Sequence, residues 1–403
     1  MLETVVYALL VATTVPLCAA TAFFIIQCVV GCLPSNKPVP DRLDDHRQPC
    51  AILVPAHNEE EGILSTLACL REQMRVGDRL VVVADNCSDQ TAALARATGA
   101  EVIERYDETL CGKGYALAAG IRHLAQLPPA IVVIVDADCI VSPGAIDRLS
   151  SMAVQSGRPV QGRYLMITPP PRQAQTALAE FAFMIKNCIR PRGLSRLRSA
   201  CQLTGSGMAF PWHAIFAANL SHDHLVEDMK LGLDLAQAGL APRYCDEAII
   251  TSPFPLSTRG QASQRFRWEK GRFILTRSAL SLLLQWPTYR RPRLVVLLVD
   301  ALIPPVTLLA AAITANMAFT GLSLLLGAPP WPFLATLVTA LGFISVITAI
   351  WYVHGRSTLP LTAIAATFSH VGTRLALYAS LLRRRPTRWI RTDRGTGDPE
   401  GTS

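Results

Sequence analysis

The sequence predicts an α/β domain, built on a parallel sheet, that is flanked by membrane-spanning helices. The chain has 403 residues, a mean hydropathy of +0.30 and 17% charged residues, against about 25% in ordinary soluble domains. Long apolar runs lie at the N-terminus and beyond residue 294, and between them short apolar segments alternate with helical patterns. This composition excludes intrinsic disorder, a collagen-like chain and a small disulfide scaffold.

The first element is an apolar run over residues 4–33, which is long enough to cross a bilayer. The first basic residues follow this run, so the positive-inside rule predicts an uncleaved anchor with its N-terminus outside. A cleaved signal peptide is the alternative, but such peptides begin with basic residues and have a shorter apolar stretch. We therefore assign residues 1–35 to an N-terminal anchor.

Residues 36–258 are predicted to form the α/β domain. Strands are expected over 51–55, 80–84, 101–103 and 130–135, and helices over 89–98 and 113–126. Asn58 is expected to cap a further helix whose first turn is acidic. Continuous apolar strands separated by helices indicate a parallel sheet buried on both faces.

Beyond this domain, residues 259–293 should hold an amphipathic helix at the membrane surface, and residues 294–382 two or three spans. The first, 294–327, should be kinked by Pro304 and Pro305, and 331–353 is the second. The segment 359–382 carries His370 and Arg374, so we expect it to lie in the interface or to re-enter the membrane. The basic tail, 383–403, is expected to be disordered and cytosolic. The eleven cysteines include no CxxC pair, which indicates a reduced compartment.

Polar residues follow three of the predicted strands, at the sheet edge where α/β proteins bind ligands. They are Pro55, His57 and Glu59, then Asp85, then Asp136 and Asp138. Glycine-rich dinucleotide and P-loop motifs do not occur in the sequence, so those sites are not expected. The Asp-x-Asp pair suits Mg²⁺ or Mn²⁺ shared with a substrate phosphate, and a solvated turn is the alternative.

Two later helices carry further candidates. Glu227 and Asp228 begin one of them, where acids either complement the helix dipole or act as a general base. Gln264, Arg267 and Trp268 share one face of the other, where Arg could bind phosphate and Trp a sugar ring. A juxtamembrane basic and aromatic belt is the alternative for that motif.

Three shorter features are ambiguous. Lys113 either contacts a phosphate or is solvated at the start of its helix. Gly205, within 203–207, either allows close approach to a ligand or forms a turn. The arginines between 190 and 198 are expected to form a solvated basic loop, with gating of the site as the alternative.

These elements together resemble the membrane-embedded family 2 glycosyltransferases of the GT-A (Rossmann-like) fold, such as the cellulose, hyaluronan and chitin-oligosaccharide synthases. The resemblance covers residues 50–286. It is carried, in chain order, by Asp85, by Asp136 and Asp138, by Glu227 and Asp228, and by the QRFRW sequence at 264–268. Asn86 replaces the family's usual second Asp. The family's FxCGS motif is absent and 203–207 stands in its place, which argues against cellulose.

The resemblance implies a role for each residue. Nucleotide-sugar binding would involve Pro55, His57, Glu59, Asp85, Lys113 and Asp136. Asp136 and Asp138 would hold Mg²⁺ or Mn²⁺, and Asp228, with Glu227 beside it, would be the catalytic base. The diphosphate and acceptor would contact Gln264, Arg265, Arg267, Trp268, Gly205 and Ser206.

The function implied is inverting sugar transfer from a UDP-sugar to a growing poly- or oligosaccharide, at the inner face of a bacterial plasma membrane. The product would serve the cell surface, with export partners possible and nucleic acid not involved. One alternative is a single addition to a membrane lipid, such as a ceramide, a diacylglycerol or a polyprenyl phosphate. Another is an inactive subunit that partners a synthase.

Overall fold

The structure is a computed structural model that describes residues 2–34, 47–168, 174–221, 226–255 and 258–361. The strands are β1 (Cys50–Ala56), β2 (Arg79–Asp85), β3 (Glu101–Arg105), β4 (Ile131–Ile134), β5 (Ile140–Val141), β6 (Val160–Ile167), β7 (Met208–Pro211) and β8 (Arg243–Pro253). The helices are α1 (Leu2–Cys32), α2 (Ile63–Arg71), α3 (Thr91–Ala97), α4 (Lys113–Leu124), α5 (Ala145–Ser156), α6 (Ala174–Met184), α7 (Arg190–Arg196), α8 (Trp212–Phe216), α9 (Glu227–Gln237), α10 (Thr258–Leu283), α11 (Pro292–Leu302), α12 (Val306–Leu325) and α13 (Trp331–Ile350).

The strands form one mixed sheet in the order β3-β2-β1-β4-β7-β6-β8-β5. The first four are parallel, as predicted, but β7 runs antiparallel to β4 and to β6. The expected parallel sheet is therefore mixed, because β7 and β5 run antiparallel to the other strands. Because β6 and β7 run in opposite directions, the excursion through α6 and α7 leaves and returns at the carboxyl edge of the first four strands. β8 is parallel to β6, so α10 also begins at this edge.

Helices cover both faces of the sheet, and the alternation along β1 shows why. Ile52 and Val54 pack with residues of α2 and α5, whereas Ala51 and Leu53 pack with residues of α4 and α9. Successive strand residues point to opposite faces, and all four of these side chains are fully buried. The prediction of a sheet buried on both faces is confirmed.

A third apolar cluster joins the sheet domain to helices from the N-terminal and C-terminal regions. Phe24 of α1, Ile189 beside α7 and Phe343 of α13 belong to it. The crossing of α1 and α7 is close: a Cβ at Gly193 would lie 2.0 Å from the carbonyl oxygen of Gln27. Within the described residues, three helices are long and apolar enough to span a membrane: Glu3–Cys32, Val306–Leu325 and Trp331–Gly355.

Two sequence expectations about the C-terminal region need correction. The expected kinked span over 294–327 is two helices, since Pro304 and Pro305 separate α11 from α12. A single helix, α10, runs through Gly271 to Leu283, so no separate interfacial helix begins there. The expected segment beyond residue 361 and the tail 383–403 lie outside the described residues.

The expected cap at Asn58 is also wrong. Its side-chain oxygen instead accepts a hydrogen bond from the backbone N of Ser88 (2.8 Å), and helix α2 begins only at Ile63. Asn58 therefore joins the loop after β1 to the loop after β2, rather than starting a helix.

Candidate active site

A cavity of about 330 Å³ lies at the carboxyl edge of the sheet, where several elements end or begin. Asp136 and Asp138 follow β4, Lys113 begins α4, and Glu227 and Asp228 begin α9. These five side chains line the cavity together with Gly205, Gln264, Arg265, Arg267 and Trp268. Most of the predicted site residues, spread over more than 150 positions of sequence, therefore meet at one place.

Lys113 lies between the two acidic pairs. Its Nζ forms an ion pair with Oδ1 of Asp136 and donates a hydrogen bond to the carbonyl oxygen of Gly205 (2.6 Å). Burial would lower the pKa of Lys113, but the carboxylates of Asp136, Glu227 and Asp228 outweigh it and raise the pKa above its ordinary value. Lys113 is thus a fixed cation inside the site, and the interpretation as a solvated helix-initiating lysine is wrong.

The segment before β7 brings backbone close to the acids at the start of α9. Gly205 has a φ of +98°, and a Cβ there would lie 3.3 Å from Oδ2 of Asp228. Ser206 does not line the cavity, contrary to its predicted contact with diphosphate or acceptor. It is fully buried, and its Oγ accepts a hydrogen bond from the backbone N of Asp136 (3.0 Å). Ser206 supports the Asp136 turn from behind.

Glu227 and Asp228 occupy the first turn of α9. The Asp228 carboxylate accepts a hydrogen bond from the backbone N of Met229 (2.8 Å), which fixes its position. Burial, reinforced by the charge of Asp228, raises the pKa of Glu227 to about 7. Burial likewise raises the pKa of Asp228. Perturbed neighbouring carboxylates in a cleft are typical of acid–base sites, so these residues do more than complement a helix dipole.

The QRFRW segment lies on α10, and four of its side chains line the cavity. Gln264 is buried, and the charge of Arg267 acts on Glu227. The Trp268 ring lies against Phe183, with 5.9 Å between ring centroids. The helix therefore presents cations and an aromatic wall to the acids on α9, and not to the membrane surface alone.

The predicted nucleotide contacts after β1 and β2 lie at the same sheet edge but outside the cavity lining. Nδ1 of His57 is 2.6 Å from the carbonyl oxygen of Asp85. Oδ1 of Asp85 accepts a hydrogen bond from Arg105 (2.6 Å), whose guanidinium also lies near the ring of Tyr115. Sequence reasoning missed Arg105, although its place at the end of a strand was a signal.

Sequence reasoning also missed a polar wall formed by the segment between β6 and β7. Arg190 is buried, with its Nη2 2.6 Å from Oδ1 of Asp300 and its Nε 2.7 Å from Oε1 of Gln27. Arg192 pairs with Asp246. These arginines are therefore not a solvated loop. The signal was available in Gln27 and Asp300, two polar residues inside apolar runs.

The donor set at Asp136 and Asp138 fits a hard divalent cation. Within the described ranges, no group of three or more His, Cys, Asp or Glu side chains could hold a metal ion. Mg²⁺ is commonly held by one or two carboxylates together with substrate phosphates and water. Two carboxylates on a cavity wall, facing cations suited to a diphosphate, are consistent with such a shared site.

Comparison with known proteins places these observations in context. The family described as "Glycosyltransferase like family 2" matches residues 46–271. An uncharacterized glycosyltransferase of Mycobacterium tuberculosis is 34% identical over 112 residues, which are 28% of this chain and 47% of the relative. A 4,4'-diaponeurosporenoate glycosyltransferase of Staphylococcus haemolyticus is 35% identical over 96 residues, 23% of this chain and 24% of the relative. The chain thus spans less than half the length of these curated relatives.

Among solved structures, a mannosyltransferase of Pyrobaculum calidifontis, in complex with GDP-Man and Mn²⁺, matches with a TM-score of 0.55. The match covers 95% of this chain and 99% of that one at 17% sequence identity. At this identity the likeness concerns the fold alone.

Proposed function

Because the chain belongs to glycosyltransferase-like family 2 and has the GT-A fold, we propose that it transfers a sugar, with inversion, from a nucleotide sugar to a membrane lipid. One observation carries the choice of acceptor. The cavity that holds the catalytic acids is also lined by Pro304, Pro305, Val306 and Thr307. These residues lead into α12, a candidate membrane span, so the site is continuous with a surface that a bilayer would reach.

The donor end of the cavity is the DxD side. Arg265, Arg267 and Gln264 would bind the diphosphate, since guanidinium groups match phosphate oxygens in a planar fork. Lys113 would add a further positive charge. Asp136 and Asp138 would hold Mg²⁺ or Mn²⁺, which supplies charge stabilisation to the departing diphosphate. The solved mannosyltransferase with GDP-Man and Mn²⁺ supports a metal-dependent nucleotide-sugar donor, and UDP is the nucleotide that the family resemblance implies.

The acceptor end is the α9 side. Asp228 would remove the proton of the acceptor hydroxyl on the face of the sugar opposite the diphosphate, which inverts the anomeric centre. Its pKa is raised by burial, which makes it a stronger proton acceptor than an ordinary aspartate. The charge of Glu227 would act on the pKa of this carboxylate. The Trp268 ring would form one wall of the acceptor site.

A second candidate is addition to a growing poly- or oligosaccharide, which the QRFRW segment favours because it accompanies processive enzymes in this family. The lipid is favoured over this second candidate by the cavity lining that leads into α12. In either case we place the catalytic domain in the cytosol of a bacterium, on the inner face of the membrane, because basic residues follow the first span. An inactive subunit would turn over no nucleotide sugar.

The experiment is incubation of membranes containing the protein with a panel of labelled UDP- and GDP-sugars and Mn²⁺, followed by sizing of the products. One discrete organic-soluble product is expected, whereas a ladder of lengths would establish the saccharide synthase. Asp228→Asn and a chelator should each abolish the product. Wild-type turnover by Asp228→Asn would show that the base is misassigned.

A further inference from the structure

Three arginines meet at the sheet edge opposite the cavity. Arg158 precedes β6, and Arg243 begins β8, which pairs in parallel with β6. Both strands run in the direction of β4, because β7 is antiparallel to β4 and to β6, so their first residues lie at the far edge. Arg293 lies in the first turn of α11, and its charge and that of Arg243 both act on Arg158. None of these residues, the arginine cluster, lines the cavity.

The arginine cluster has an excess of positive charge. Within the described ranges, no ion pair joins a carboxylate to any of its three members. The Arg158 guanidinium donates instead to the carbonyl oxygen of Ala241. Burial, with the charges of Arg293 and Arg243, lowers the pKa of Arg158 to about 10, so all three side chains are still cationic at neutral pH. Like charges held together are stabilised by an anion, and the exposure of Arg243 and Arg293 leaves the cluster open to one.

The tip of the hairpin formed by α10 and α11, residues 284–293, adds exposed aromatic side chains beside the cluster. Trp286 is 74% exposed and Tyr289 is 54% exposed, and their ring centroids are 6.3 Å apart. Arg290 and Arg291 of the same tip are also exposed. Trp and Tyr are enriched at the level of the lipid headgroups, and clustered basic side chains are attracted to anionic lipids. The composition of the tip therefore favours a membrane surface as its partner.

An exposed apolar row connects this tip to the part of α10 that lines the cavity. Phe273, Leu280 and Leu284 are each more than half exposed, and their spacing places them on one face of the helix. A helix with such a row lies along a bilayer surface. The 11 residues of α11 span only about 16 Å before α12, a candidate membrane span, begins. A bilayer that accommodates both the row and α12 therefore brings its headgroups to the arginine cluster.

We infer that the arginine cluster binds the phosphate group of an anionic membrane lipid, at a site separate from the one that transfers the sugar. Planar guanidinium groups match phosphate oxygens and form charge-assisted hydrogen bonds with them. This lipid is a binding partner and not an acceptor, so the inference goes beyond the proposed function and does not depend on it. A lipid bound at the tip would hold α10, which carries the QRFRW segment, against the membrane.

The test measures binding of fluorescent phosphatidylglycerol and phosphatidylcholine, with the same acyl chains and label, to the full-length protein in neutral detergent. The first lipid is anionic, whereas the second is zwitterionic. We expect phosphatidylglycerol to bind about ten-fold or more tightly, because each basic side chain near a headgroup adds to the attraction. Arg243→Gln/Arg293→Gln should abolish this preference, whereas Arg243→Lys/Arg293→Lys should keep it. Both residues are exposed, so the melting temperature should stay that of the wild type.

The matched control is Arg71→Gln/Arg122→Gln, which removes the same charge from exposed positions on α2 and α4 and should keep the preference. The inference is overturned if the two glutamine variants behave alike, since the lipid would then respond to net charge or to neither pair. Displacement of phosphatidylglycerol by inorganic phosphate at the same concentration would also overturn it, because the site would recognise a free anion. Displacement by a short single-stranded DNA would assign the cluster to nucleic acid instead.

Discussion

At the scale of single residues, the adjacent acids of α9 determine how the site should respond to pH. Burial raises the pKa of Asp228 and, with the Asp228 charge, that of Glu227 to about 7. A general base must be ionised to accept a proton. Because the pKa of Asp228 is raised, its carboxylate becomes protonated at a higher pH than an ordinary aspartate does. The ionised fraction of the base therefore falls earlier as the pH is lowered.

We therefore expect kcat/KM for sugar transfer to decrease on the acidic side of neutrality, by up to about ten-fold per pH unit for one essential base. The measurement is a pH profile from 5 to 9 at saturating metal. Glu227→Gln should retain this acidic limb, because Asp228 remains, whereas Asp228→Asn should lose the activity itself. Disappearance of the limb in Glu227→Gln would assign the base to Glu227 instead.

Residues at the ends of regular elements were the predictable part of the site. Asp136 and Asp138 follow a continuous apolar strand, and Glu227 begins an amphipathic helix, so local patterns placed them at one sheet edge. Lys186 and Asn187, which line the cavity from the π-helical turn Ile185–Ile189, could not be found this way. Their place in the cavity depends on a π-helical turn and on an excursion whose return to the sheet is set by long-range pairing. The burial of Ser206 depends likewise on contacts with Asp136 and Cys139, remote in sequence.

At the scale of elements, the first four strands and the helices between them were predictable because each follows from a local pattern of apolar residues. The second half of the sheet was not, since β7 pairs with β4 and β6 across long separations. The break between α11 and α12 shows that an apolar composition alone does not identify a membrane-spanning helix. Both flanks are apolar, yet α11 packs on α9 and α10 inside the protein and only α12 is a candidate span.

The crossing of α1 and α7 provides a prediction at this scale. A Cβ at Gly193 would meet the Gln27 carbonyl oxygen at 2.0 Å, and backbone cannot give way as a side chain can. Gly193→Ala should force the helices apart and lower the melting temperature by several degrees, as overpacking costs about 1–3 kcal/mol. Gly62→Ala is the control, since a Cβ there meets nothing within 4 Å. Equal melting temperatures for the two variants would contradict the close crossing.

At the scale of the whole molecule, one buried polar group ties together three parts of the chain. Gln27 belongs to α1, Arg190 to α7 and Asp300 to α11, and their side chains bond to one another. The N-terminal helix, the α/β domain and the C-terminal region thus share a single hydrogen-bonded centre. The domain divisions expected from the sequence remain a useful description of composition, but these contacts join the parts.

Asp300→Ala should therefore destabilise the protein strongly, because it leaves the buried Arg190 charge unpaired, at a cost of about 3–5 kcal/mol. Thermal unfolding in detergent measures the effect. The double variant Arg190→Met/Asp300→Leu should recover much of the loss, because no buried charge remains. If the single variant melts with the wild type, the group does not hold the three parts together.

The close approach of α1 to α7 also has a consequence for the lipid environment. Helices in backbone contact at Gly193 cannot slide past each other. In a bilayer that α1 spans, the height of Glu227 and Asp228 above the lipid would therefore be set by how deeply α1 is immersed. Hydrophobic mismatch displaces or tilts a spanning helix as bilayer thickness changes. The distance between these acids and the plane of the lipid headgroups should then change with bilayer thickness. The same change should decide whether an acceptor anchored in that bilayer can reach the acids.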